Sequence, residues 1–495
     1  MGAIEILSLA LTHPNEFRIL LQFWNFYLPK RDITKKEEHG SSGWDRPTMR
    51  RCWELLDHSS RSFSAVIKEL DGDLARVICL FYVVLRGLDT IEDDMSIPDD
   101  VKQPLLRSFH EKTVTPGWNF NGNGPDEKDR IVLVDYHVVV DELLRLEPAC
   151  RDTIIDICRK METGMADFAH RAALSSEPLT IDTIKEYDLY CHYVAGLVGE
   201  GLSRLFSVTG KESASLAHQL QLSNSLGMFL QKTNIIRDFQ EDANERRFFW
   251  PREIWCLPEY SLDGRTPATD ILQLLQEPQR ARWVQSAMVV DALRHSCDAL
   301  DYLRLLRNQS VFNFAAIPAA MAIATLDLCF MNSDMFERNI KIRKAKAADL
   351  IMRSTNPREV ALIFKEYARS IHAKASPSDP NFLRISVACA KIDQWTERNY
   401  PSFVRLPTTT GPSSLHPSFD PADARSRVAI ADAEKEKFAS EERRRERFGG
   451  NGALLPSDTQ SQGPPWEVLL FVGGAVFLII ALSIGIVLAV LYFTT

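Results

Sequence analysis

Between about Arg51 and Val404 apolar residues recur at i, i+3 and i+4, and prolines fall mostly between the periodic stretches. That pattern predicts helices joined by short connections. The stretches Arg76 to Met95, Tyr187 to Phe206 and Ala214 to Asp242 contain no proline, and each is long enough for a helix of several turns. Two-residue alternation closed by Asn-Gly or Asp-Gly is scarce, so strands are not expected to build the fold. The expected class is all-α, with one helical domain over residues 51–405 behind an N-terminal segment, 1–50.

Two apolar runs stand out within this pattern. From Val468 to Phe493 no residue is charged, and at about 1.5 Å per residue the run exceeds the roughly 30 Å hydrocarbon core of a bilayer. Residues 466–495 are therefore expected to form a single C-terminal transmembrane helix that anchors the chain in the lipid bilayer. Arg443 to Arg447 lies upstream, which orients the bulk of the chain to the cytosol. Val311 to Phe330 is also apolar, but Pro318 and Asp327 interrupt it, so a core helix is expected there. Residues 406–465 turn to Pro, Ser, Gly and charge and read as a flexible linker, with a charged helix allowed around Asp423 to Phe448. The N-terminus is broken by Glu5, His13, Pro14, Glu16 and Arg18 and lacks the apolar core of a signal peptide.

Composition narrows the function. A net charge of -8 offers no basic footprint, so no nucleic-acid partner is expected. The nine cysteines lie in apolar sequence with no Cys-x-x-Cys pair and read as buried, reduced thiols. Asn308-Gln-Ser310 is a formal glycosylation sequon, but a cytosolic helical core would not use it.

The chemistry-bearing pattern is a pair of acidic clusters. Asp89, Glu92 and Asp93 form one, and Asp238, Glu241 and Asp242 the other, each at i, i+3, i+4 and so on one helix face. Either cluster alone reads first as a solvated helix end. Two of them, each ending a long apolar helix, point to Mg²⁺ held by oxygen ligands at the mouth of an apolar cavity, where a diphosphate would bind and leave. Such a cavity suits an allylic diphosphate and its carbocation, with aromatic faces from Phe63, Tyr82, Tyr190, Phe312 and Phe314 as candidate cation stabilisers or plain core.

Longer strings carry a specific resemblance. Ser59-Ser-Arg-Ser-Phe63, Asp89 to Asp94, Tyr190-Cys-His-Tyr-Val-Ala-Gly-Leu-Val-Gly199, Phe229 to Asp238, Arg307 to Phe314 and Lys341-Ile-Arg-Lys344 together resemble the squalene synthase family of fungal type. The resemblance implies an isoprenoid-synthase-type helical bundle with an anchor in the endoplasmic reticulum membrane. It also implies head-to-head condensation of two farnesyl diphosphates to presqualene diphosphate and NADPH-dependent reduction to squalene, with Mg²⁺ and NADPH as cofactors. By it the six cluster carboxylates hold Mg²⁺ and diphosphate, and Tyr190 takes or relays the proton lost as the cyclopropane closes. A phenol suits that task only where its phenolate is stabilised, for instance by a nearby arginine. Phe312 and Phe314 would line the second-step cavity, and Phe63, Tyr82, Val194, Val198, Leu202 and Gln231 would contact the farnesyl chains. No Gly-x-Gly-x-x-Gly follows a strand, so NADPH would rest on Ser60, Arg61, Arg86, Asn234, Arg237, Lys341 and Arg343 rather than on a Rossmann unit. Lys341 to Lys346 reads otherwise as an ordinary basic helix face.

Two departures accompany the match. Phe239 stands where family members often have tyrosine, and Arg246 stands where a glycine is usual, which puts the local loop geometry in question. A phytoene-type or dehydrosqualene synthase would share the acidic helices but use no reductant, and a tail-anchored scaffold would keep the fold without activity. The Lys341 to Lys344 string and the anchor argue against the first, the complete set of carboxylates with Tyr190 against the second.

Overall fold

The apolar spacing resolves into helices, and the computed structural model describes residues 12–27, 31–60, 63–174, 179–261, 265–272 and 276–402. The linker, the predicted membrane span and Arg61 lie outside the described residues. The principal helices are α1 (Pro14–Tyr27), α2 (Leu74–Asp93), α3 (Pro148–Leu174), α4 (Ile184–Cys191), α5 (Leu197–Val208), α6 (Leu220–Arg237), α7 (Phe239–Asn244), α8 (Gln309–Cys329), α9 (Lys344–Arg353), α10 (Pro357–Lys374) and α11 (Phe382–Asn399). The architecture is all-α. Among the described residues the strands are two residues long, β1 (Leu179–Thr180) and β2 (Arg247–Phe248), paired in parallel with Leu179 opposite Arg247. This pair ties the segment after α7 to the approach to α4, a link that periodicity could not reveal.

Helix α2 is buried on nearly every side from Leu74 to Ile91, as expected for a helix with neighbours all round. It packs on α3 and α5, while α6 packs on α5 and α8. Starts follow side-chain caps: Thr183 accepts from Glu186 N at 3.1 Å, and Asn356 accepts from Glu359 N at 3.0 Å with Pro357 behind it. Asn308, the sequon asparagine, caps α8 by accepting from Ser310 N and Val311 N, which gives it a structural task.

Helix α8 is long and apolar enough to cross a membrane, yet it is mostly buried between α6 and α10. Lys374 donates to its Asp327 at 2.8 Å. It is the core helix that Pro318 and Asp327 predicted. The cysteines form no disulfide; seven are buried, whereas Cys256 and Cys297 are half-buried, so the expectation of fully buried thiols fails for those two.

Two predicted helices are interrupted. Tyr187 to Phe206 carries a single π turn, His192–Gly196, between α4 and α5. Ala214 to Asp242 opens with a 3₁₀ turn, Ala214–His218, and breaks at Asp238, whose φ of -92° and ψ of 10° end α6 before α7 begins. Asp242 N still donates to Asp238 O at 3.0 Å, so the acidic residues keep a helix-like stagger across the break.

The side of α6 turned from α8 holds a closed charge network. Lys232 is fully buried, donating to Asp188 at 2.6 Å and Asp291 at 2.5 Å, with its ammonium 4.7 Å from the centre of the Tyr187 ring. Arg294 donates to Asp291 at 2.8 Å and also pairs with Asp188. Beside it, His295 is 8% exposed and its Nε2 has no partner. Burial first, then the Lys232 and Arg294 charges, push its pKa down to about 3.

Candidate active site

A cavity of about 400 Å³ lies among α2, α5, α6 and α8. Phe63, Tyr82, Val194, Val198, Leu202 and Gln231, all named from the sequence, lie on its wall. Phe314 lines it too, its ring 5.2 Å from Phe63 and 6.0 Å from Phe206. Phe312, assigned with Phe314 by the resemblance, is buried but does not line this cavity. Residues two apart on a helix point to different sides, so the two rings cannot share one wall.

Polar groups gather at one end, where Arg86, Asp89 and Asn234 reach the lining. Arg86 donates to Tyr82 Oη at 2.9 Å and lies 3.6 Å from Asp89 and 3.8 Å from Asp129. The first acidic cluster forms the last turn of α2. Burial, with Asp93 and Asp129 adding repulsion against the pull of Arg86, raises Asp89 to about 6. Burial and the Asp93 charge raise Glu92 to about 8.

The second cluster spans the break between α6 and α7. Arg237 holds Asp238 in a bidentate pair at 2.7 and 2.5 Å, and Asn339 donates to Glu241 at 3.1 Å. Asp242 is raised to about 7 by burial, against the opposing pull of Arg247. Phe239 packs into Trp250 and Phe336 at 4.5 and 5.6 Å between ring centres, away from these carboxylates.

Arg247 joins the clusters. Its guanidinium donates to Asp93 at 2.8 Å and Asp242 at 3.3 Å and pairs with Glu245 at 2.7 Å. Sequence reasoning passed over it because it sits in irregular chain after α7, beyond any periodic signal. The β1–β2 pair places it there. Its predecessor Arg246 has φ +59°, so the position where family members often carry glycine keeps the left-handed backbone with a bulky side chain.

Tyr190 is buried one turn before Val194 and does not itself line the cavity; it stacks on Phe249 at 4.8 Å and meets Phe168 edge-on at 5.1 Å. Burial, then Glu92 and Asp93, hold its phenol well above the ordinary range, and Arg247 is the cation that pulls the other way. As placed, Tyr190 is a neutral phenol with an arginine at hand.

Asp94 belongs to the same acidic string but serves the backbone. It accepts from Ser96 N and Oγ, Asn123 Nδ2 and Gly124 N at 2.6 to 2.9 Å, which ties the loop before Asp129 to the end of α2. Lys102, almost fully buried, donates to Glu92 O at 2.8 Å and closes the last turn from behind.

The groups assigned to NADPH are less gathered. Arg86 and Asn234 line the cavity and Arg237 is paired with Asp238, whereas Ser60 donates to Leu56 O at 2.6 Å within its own helix. Lys341 and Arg343 are exposed in the segment leading into α9, and Arg343 donates to Glu16 of α1 at 3.0 Å.

Among the described residues no group of three or more ligating side chains is drawn together tightly enough to hold a metal unaided. The donor set still fits Mg²⁺, which characteristically takes one or two carboxylates and completes its octahedron with water and substrate phosphate. Burial first, and then the neighbouring carboxylates, raise Asp89, Glu92 and Asp242 to between about 6 and 8, and a divalent cation would favour their charged forms.

Comparison with known proteins adds an independent line. The squalene/phytoene synthase family model matches residues 56–346. A squalene synthase of Ganoderma lucidum is 59% identical over 469 residues, covering 94% of this chain and 100% of that protein. One of Mycosarcoma maydis is 49% identical over 425 residues, 84% of this chain and 74% of the other. The solved structure of TcSQS with the ligand E5700 is 40% identical with a TM-score of 0.66, covering 71% of this chain and 98% of that one.

Proposed function

The chain belongs to the squalene/phytoene synthase family and carries squalene synthase activity, and we propose that it runs both half-reactions in the cavity among α2, α5, α6 and α8. Two farnesyl diphosphates are joined head to head to presqualene diphosphate, which is then reduced to squalene. The observation that carries the placement is Arg247 joining the carboxylate clusters of α2 and of the α6–α7 break, with Asp89 of the first cluster lining the polar end of one apolar cavity.

In this reading Asp89, Glu92 and Asp93, with Asp238, Glu241 and Asp242, hold Mg²⁺ and the diphosphates. Bound Mg²⁺ would draw charge from the departing diphosphate, and NADPH would supply the hydride of the second half-reaction. The chain's own part is to exclude water and place charge. Loss of diphosphate breaks a C–O bond, and the resulting allylic cation is shielded by Phe63, Tyr82 and Phe314. Attack by the second farnesyl double bond forms the new C–C bond, and the proton released on ring closure passes to or through Tyr190. Arg247 beside Tyr190 would support the phenolate once metal occupies the neighbouring carboxylates. Arg86, Asn234, Arg237, Lys341 and Arg343 are the groups offered to NADPH, and Arg343 must exchange its Glu16 partner for phosphate.

Product analysis with farnesyl diphosphate and Mg²⁺, with and without NADPH, tests the reading. Squalene is expected only with NADPH and presqualene diphosphate without it. Lys341→Ala with Arg343→Ala should slow squalene formation while presqualene diphosphate accumulates; equal loss of both half-reactions would remove the dinucleotide assignment. The catalytic domain is placed at 51–405, the linker at 406–465 and an endoplasmic reticulum anchor at 466–495, so a chain ending near Arg405 should be soluble and active.

A further inference from the structure

We propose that His192 and Asn224 are positioning residues for the condensation, acting through the π turn to keep Tyr190 in line with the cavity wall. The proposal rests on the assignment of Tyr190 to the first half-reaction. Tyr190, Val194, Val198 and Leu202 lie four residues apart, and in an α-helix of 3.6 residues per turn each such step drifts by about 40°. Over three steps the drift reaches about 120°, enough to carry Leu202 off the face that Tyr190 occupies. The π turn between them inserts the equivalent of one extra residue and takes back about 100°. That is why Val194, Val198 and Leu202 all reach the cavity, with Tyr190 one turn before Val194, outside the lining and stacked on Phe249.

A π turn is intrinsically poor, so something must hold it. The structure shows what does. His192 Nδ1 donates to Asn224 Oδ1 at 2.7 Å, clasping the turn to α6. Gly196 leaves room for the clasp, because a Cβ there would overlap Asn224 Oδ1. On the same seam a Cβ at Gly227 would stand 2.5 Å from Ala195 O, and one at Gly199 would overlap Ser223 O. Neither His192 nor Asn224 lines the cavity; both face the cleft of Thr183, Asp188 and His295 on the other side. Their influence on chemistry therefore runs through the geometry of the turn.

Asn224→Leu removes the acceptor at similar volume, whereas Asn224→Asp keeps it. Condensation would be followed without NADPH, as kcat and KM for farnesyl diphosphate, beside Tm and amide exchange of residues 192–198. Asn224→Leu is expected to lose about tenfold in kcat with KM within twofold and the chain folded, about 1.4 kcal/mol in the barrier. Asn224→Asp should stay within about threefold of the parent, consistent with a retained charge-tolerant hydrogen bond. In a Tyr190→Phe background Asn224→Leu should cost nothing further, since both act on one group. Should Asn224→Leu not fold, His192→Phe removes the donor and carries the same test. Parent-like kcat in the clasp variants, or a loss that adds fully to that of Tyr190→Phe, would overturn the positioning role alone. Parent-like condensation by Tyr190→Phe would overturn the reading of Tyr190 and the proposal with it.

Discussion

Helix α6 has two faces that handle charge in opposite ways. Toward the cavity it offers Leu226, Gly227, Leu230, Gln231 and Asn234, and at its end the Asp238 cluster faces that of Asp89 across Arg247. On its other side Lys232 sits in a network in which every charge has a partner. The first arrangement leaves carboxylates raised above their ordinary values, whereas burial of Asp188 is outweighed by Lys232 and Arg294, which hold it below. Charge kept for chemistry is left incompletely neutralised so that a ligand can complete it; charge kept for structure is complete without one.

The largest effect on stability should come from the structural side. Lys232→Met leaves Asp188 and the buried Asp291 only the half-exposed Arg294 in place of two cations and should cost roughly 3 kcal/mol in stability, the low end for a broken buried pair. Chemical denaturation would read that loss, and activity per folded molecule should be unchanged; a matching loss of turnover would blur the division between the faces. On the cavity side Asp89→Asn should lower turnover by about 10²–10³-fold, the usual scale for removing one electrostatic stabiliser. Its Tm should be at or above that of the parent. A carboxylate raised to about 6 costs stability once the pH exceeds its unfolded value, and the amide removes that cost. A fall in Tm would show that Asp89 is structural after all.

pH sharpens the same contrast at His295. Its folded pKa of about 3 lies below the ordinary 6.5, so between these values the unfolded chain binds the extra proton and stability falls as pH falls. From pH 6.5 to 5 this group should cost about 2 kcal/mol, read as the difference in unfolding free energy between the parent and His295→Gln. The smallest effect belongs to the loop. Arg246→Gly relieves a left-handed residue that costs about 1–2 kcal/mol, part of which returns as freedom of the unfolded chain, for a net gain of about 1 kcal/mol or less. Thermal unfolding checks it, with Arg247 retained to keep the site.

What the sequence disclosed follows the same physical divide. The carboxylates announce themselves by clustering, whereas Val194, Val198 and Leu202 came only with the family resemblance, because their four-residue spacing alone would drift off one helix face. Arg247 and the Asp94 to Asn123 tie were not legible, because they depend on where loops return in space. The π turn was hidden for another reason. It changes the period within an apolar run without a proline to mark it, and only the packing of Gly196 under Asn224 gives it away. Phe312 shows the converse limit, where a string matched as a whole says less than the angle between its members.

The Lys232 network also constrains how this protein can change over time. An apolar trio in place of Lys232, Asp188 and Asp291 would be neutral or even stabilising, as buried ion pairs replaced together often are. Each order of single substitutions toward it passes through a state in which Lys232 keeps one carboxylate of two, or the carboxylates keep only the half-exposed Arg294. The trio is thus a locked combination. Random single-site mutagenesis should find all three positions closed, while a library that varies them jointly should recover folded chains that no stepwise lineage would reach.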